Sequence, residues 1–78
     1  MTDLEPVDEI DTYVGRRISD FREAASLSQE RLAVLLGLDV PNLRAMESGQ
    51  TKIFAGTLLT VSQALSVPVS ALLPPEVH

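Results

Sequence analysis

Apolar residues recur along this chain at spacings of three and four, in short stretches separated by glycine, proline and serine, which is the pattern of several short helices. Val14, Ile18, Phe21 and Ala25 step by four, three and four and predict a first helix, with Arg16, Arg17, Asp20 and Glu23 elsewhere on its surface. Asp11 or Thr12 caps its start in this reading. Ser28 stands at an N-cap position with Arg31 three residues on, so the cap is well placed although the capping box is incomplete. Leu32, Leu35 and Leu36 then form the buried stripe of a second helix, which Gly37 ends by tolerating a left-handed backbone. Leu38 bridges the turn. Asp39 and Pro41 open a third helix, capped by Asp39 or Val40, since a residue before proline resists helical angles. Leu43 and Met46 face inward and Gly49 stops it. Beyond a polar connection at 50–53, Leu58, Leu59, Val61, Ala64 and Leu65 predict a fourth helix starting near Phe54 or Ala55. Pro68 opens a fifth, running through Leu73 until Pro74 and Pro75 break it.

The first ten residues change the picture: they hold Pro6, are acidic, and show no apolar stripe. They read as a flexible arm over 1–10, ahead of a domain over 11–73 and a tail over 74–78. With 78 residues the chain has volume for one core, not two. The absence of cysteine leaves that core to stabilise the fold without disulfides or thiolate metal sites. Hydrophobic residues make up 45% of the chain, largely Leu, Val and Ala with few aromatics, a composition suited to an all-α bundle. No apolar run is long enough to span a bilayer, and a cytoplasmic protein is the expectation.

Charge bears on the partner. The net charge of −5 argues against a polyanion, but its distribution is uneven. Asp3, Glu5, Asp8, Glu9 and Asp11 crowd residues 1–15 with no base among them, and Glu76 lies near the other end. Residues 16–52 hold Arg16, Arg17, Arg22, Arg31, Arg44 and Lys52 against Asp20, Glu23, Glu30, Asp39 and Glu47, a net charge of +1. DNA binding is therefore electrostatically permitted. Enzymatic chemistry is not expected, because the one histidine is His78 and the dense acidic cluster lies in the arm, so no nucleophile and base are held together. No metal site and no cofactor follow from the same reasoning.

Residues 29–48, QERLAVLLGLDVPNLRAMES, carry the most specific signal. A small residue, Ala33, precedes Gly37 by four, with Leu32, Leu36, Leu38, Leu43 and Met46 around the turn. Two helices joined by three or four residues must cross steeply, which tolerates no bulk at the contact and needs a special backbone at the turn. This segment resembles the helix-turn-helix of the Cro and phage-repressor (XRE) type of transcriptional regulator. The likeness extends over about 11–73, through Val14-Gly15-Arg16-Arg17-Ile18, Leu27-Ser28-Gln29-Glu30, the Glu47-x-Gly49 signature, and Ala64-Leu65-Ser66-Val67-Pro68-Val69, where Ser66 stands in place of a frequent glycine.

The resemblance implies a five-helix, lambda-repressor-like domain with a recognition helix at 38–48 whose first turn enters the major groove. Asp39, Val40, Pro41, Arg44 and Ala45 would face the bases, with Arg44 able to make a bidentate contact to guanine and Val40 to touch a thymine methyl. Many relatives have Gln or Ser where this chain has Val40 and Pro41. Gln29 would hold a phosphate at the start of the second helix, and Asn42, Ser48 and Lys52 would do so from the recognition helix and the loop beyond. Arg22 and Glu47 match a pair that bridges the first and third helices. Ala33, Gly37 and Gly49 are the structural small residues.

No charge occurs from Ile53 to Pro75, and a core this small does not hide all of Val61, Val67, Val69, Leu72, Leu73 and Val77. Val67, Val69, Leu72 and Leu73 are the expected homodimer interface. Two recognition helices about 34 Å apart would then read a palindromic operator. The expected function is a sequence-specific, double-stranded-DNA-binding regulator acting as a repressor. The alternative is a protein-interaction module, or an antitoxin-type partner protein, that keeps the fold and binds another protein.

Overall fold

The computed structural model describes residues 9–75, and these form five helices in the order α1 (Glu9–Ala24), α2 (Gln29–Leu36), α3 (Val40–Glu47), α4 (Ala55–Leu65) and α5 (Val69–Leu72). There is no strand among the described residues. Most of the expected arm, with Asp3, Glu5 and Asp8, lies outside the described residues, as do Glu76, Val77 and His78. Glu9 and Ile10, assigned to that arm by pattern, are instead the first turn of α1.

The core is assembled from every helix. Val14 and Ile18 of α1, Leu32 and Ala33 of α2, Leu43 and Met46 of α3, Val61 and Leu65 of α4 and Leu72 of α5 are buried together. α1 packs on α3, α4 and α5, and α2 packs on α3 and α4. Two apolar residues of the expected stripes turn outward. Leu35 is 48% exposed and Leu59 is 56% exposed, while Leu36 and Leu58 pack against the core. In an eight-residue helix the burying face is narrow, and Leu32 with Ala33 occupies the side that α3 and α4 cover.

The start of α1 also differs from expectation. Asp11 is not a cap; it lies inside the helix, 6% exposed, and its Oδ1 accepts the Ile53 N–H at 3.0 Å across the fold. Thr12 packs beneath Gly49 instead, close to where a Gly49 side chain would stand.

The caps of α2 and α3 are as the residue types require. The Ser28 side chain accepts from the Arg31 N–H, and Gly37 takes φ 71°, its N–H bonding back into the last turn of α2. The Asp39 carboxylate accepts from the Asn42 N–H, with Pro41 in the first turn, which settles the cap on Asp39. Gly49, at φ 74°, lets the Gln50 N–H return to the Ala45 carbonyl at 2.9 Å.

Ser66 closes α4 with φ 59° and ψ 42°, a left-handed conformation that costs a residue with a Cβ about 1–2 kcal/mol. Ser66→Gly removes that strain but loosens the unfolded chain, a loss of about 0.4–1 kcal/mol. The expected net effect is a gain of about 0.5–1 kcal/mol, read as a higher urea midpoint with an unchanged slope. A lower midpoint would show that the serine hydroxyl contributes more than the backbone strain removes.

Candidate nucleic-acid interface

α3 stands on the core through one face and presents the other. Leu43 is 0% and Met46 5% exposed, whereas Pro41, Asn42 and Arg44 are exposed. Asp39 is exposed too, but its carboxylate is engaged as the helix cap. Val40 departs from the expected outward set, since it is half-buried and packs against the core, leaving part of its side chain for an outside contact. Ala45 is half-buried. The Ser48 hydroxyl donates to the Arg44 carbonyl at 2.8 Å, closing the last turn of α3.

The helix is anchored by a polar network that starts in α1. Arg22, 9% exposed, meets Glu47 in a two-pronged pair: its Nε lies 2.7 Å from Oε2 and its Nη2 3.1 Å from Oε1. Its Nη1 donates to the Leu27 carbonyl at 2.8 Å, so the guanidinium also pins the turn between α1 and α2. The hydrogen bond to Glu47 holds the Arg22 pKa above its ordinary value, against the lowering effect of burial. Gln29, at the start of α2, extends the chain: its Nε2 donates to Glu47 Oε1 at 3.0 Å and its Oε1 accepts from Arg44 Nε at 3.3 Å. Gln29 was expected to face a phosphate; here its amide joins two residues of α3.

An open groove of about 530 Å³ is lined by Gln29, Pro41, Arg44, Ala45, Ser48 and Gln50 together with Glu47. It thereby brings together most of the residues that the sequence pointed to. Lys52 is held elsewhere. Its Nζ lies 3.6 Å from Asp11 Oδ2, and the same carboxylate ties the Ile53 amide, so the connection between α3 and α4 is fastened to the start of α1.

Two residues that position this surface were missed by sequence reasoning. Local pattern offers Asp11 as a cap or part of an acidic cluster, whereas its partner is 42 residues away, where no local pattern points. Gly15 lies where α1 packs tightly on α3: a Cβ there would collide with the backbone carbonyl of Met46. A glycine inside an otherwise helical apolar pattern was the available signal.

A helix-turn-helix family model matches residues 18–72 of the chain. The chain belongs to the helix-turn-helix family. As a member it resembles an uncharacterized transcriptional regulator in the ATPase CF(0) region of Rhodospirillum rubrum, 32% identical over 87% of this chain and 63% of that protein. It also resembles an uncharacterized HTH-type transcriptional regulator of Sinorhizobium medicae, 39% identical over 78% of this chain and 44% of that protein. The chain thus spans about half the length of the curated relatives it matches. Among solved structures, the restriction-modification controller protein C.AhdI from Aeromonas hydrophila superposes with a TM-score of 0.74, at 34% identity over 78% of this chain and 92% of that one.

The helix-turn-helix is therefore α2 and α3 with Gly37 between them, as its residue types imply. The expected interface between two copies is corrected in one respect. Leu72 is fully buried, because α5 folds back onto α1 and α4, whereas Val67, Val69 and Leu73 are half-buried and keep part of their surface outside. Within the uncharged stretch it is Phe54, 67% exposed, and Leu59 that stand out. Among the described residues no helix is long and apolar enough to cross a membrane.

Proposed function

We propose that this chain is the DNA-binding module of a cytoplasmic, non-enzymatic transcriptional regulator that pairs as a homodimer on a palindromic operator and represses by occupying it. The observation that carries the reading is the division of α3, which buries Leu43 and Met46 and holds Arg44 out beside Pro41 and Asn42. A helix built in this way can be lowered into a major groove without disturbing the core. The likeness to the controller protein and to the HTH-type regulators supports the same assignment. Exposed Phe54 and Leu59, in a stretch without charge, favour a second copy covering them and setting two α3 helices about one DNA turn apart. The same exposed pair favours, as a second reading, a protein-interaction module or antitoxin-type protein.

Selection of duplexes from a random pool, followed by mobility shift at two salt concentrations, tests the proposal. Enrichment of a palindrome and a shift lost steeply with salt are expected. Arg44→Ala then weakens binding to the selected duplex by about 1–3 kcal/mol, or about 5- to 150-fold, and affects unrelated duplex less. Equal losses on both would reduce Arg44 to a phosphate contact. No enrichment and no low-salt shift would favour the protein-binding alternative.

A further inference from the structure

Between Glu47 and Arg44, the amide of Gln29 can take only one orientation. An ionised carboxylate accepts hydrogen bonds and cannot donate them; a guanidinium donates and cannot accept. The NH2 of Gln29 must therefore face Glu47, at 3.0 Å, and its carbonyl oxygen must face Arg44 Nε, at 3.3 Å. Glu47 is itself fixed, because both of its oxygens are held by Arg22, so the chain of contacts runs from a buried ion pair to an exposed arginine. Neither glutamate nor lysine would serve at position 29, since each would set like charges against one of the two neighbours.

We infer that Gln29 is a positioning residue that braces Arg44 against the buried Arg22–Glu47 pair and so sets how Arg44 meets a base. The inference rests on the DNA-binding reading of α3. With Nε occupied by Gln29, the guanidinium is left to approach a guanine end-on through Nη1 and Nη2, the two donors that can bond its O6 and N7 together. A brace also removes rotamers from a long, exposed side chain before binding, so less freedom is lost on contact. Specificity at that base pair then depends on a residue of α2 that need not touch DNA.

The test is a double-mutant cycle on duplexes selected from a random pool by the wild-type chain, using Gln29→Met, Arg44→Ala and the pair. Methionine keeps the length and helical preference of glutamine without its amide. Gln29→Met is expected to weaken binding by about 5-fold, to lower discrimination against unrelated duplex, and to change nothing further once Arg44 is alanine. A loss of the same size in the Arg44→Ala background would show Gln29 touching DNA by itself and would overturn the inference, as would no loss in either background. A wild-type chain that selects no duplex would bring down the DNA-binding reading instead, and the brace is then decided on the free protein. There, the Arg44 Nε–H resonance is expected to exchange slowly with water and to speed up in Gln29→Met; an unchanged rate would overturn it.

Discussion

Glu47→Ala lowers the unfolding free energy by about 3–5 kcal/mol, a large share of the roughly 5–15 kcal/mol typical of a folded domain. The reason is what the substitution leaves behind. Arg22, 9% exposed in the intact fold, keeps its charge and the Leu27 carbonyl, and is left with the weaker influence of Glu23, 3.8 Å away on the surface, and of Glu30. Glu47→Gln leaves one oxygen to accept from Arg22 and costs less, about 1.5–3 kcal/mol, the range for a hydrogen bond to a charged group. Replacing both partners, as Arg22→Met with Glu47→Leu, recovers most of the loss, since the desolvation of the charge disappears with the charge. Urea unfolding of the four proteins at one concentration measures this. A loss below about 1 kcal/mol for Glu47→Ala would place the pair among solvated surface bridges.

The second large effect is expected at Gly15, where the sign is the informative part. In an unconstrained helix interior, glycine to alanine stabilises by about 0.8–1 kcal/mol. Here the added Cβ meets the backbone carbonyl of Met46, which no rotamer change can move aside, so α1 and α3 must separate. Overpacking of this kind costs about 3 kcal/mol at its upper range, and Gly15→Ala is therefore destabilising by about 2 kcal/mol net. Gly15→Val adds branching and costs more. Thermal unfolding and mobility shift belong together here, because tilting α3 away from α1 moves Arg44 as well. A stabilised Gly15→Ala would mean that the two helices do not touch at this point in solution.

What could be read from residue types was local chemistry. Ser28, Gly37, Asp39 and Gly49 do what their neighbours required, because a cap or a left-handed turn is decided within four residues. Facing was legible only where a helix is covered on a known side. Leu35 and Leu36 are adjacent candidates for the same stripe, and only Leu36 packs against the core, while Leu35 is left exposed. The pairing of Arg22 with Glu47 came from family likeness; the linkage of Gln29 to Arg44 did not, since it depends on the angle at which α3 crosses α2. Asp11 with Ile53, and Gly15 with Met46, join segments more than thirty residues apart and leave no periodic trace. Lack of charge in its segment points Leu72 to a surface, whereas the fold buries it as the inward residue of α5.

The two sides of α3 draw on separate side chains: Leu43 and Met46 support the fold, while Pro41, Asn42 and Arg44 contribute nothing to the interior. Substitutions on the outer side consequently carry little folding penalty, whereas truncations on the inner side cost about 2–5 kcal/mol. Single exchanges among those outer side chains therefore leave every intermediate folded, without rebuilding the frame that holds the helix in place.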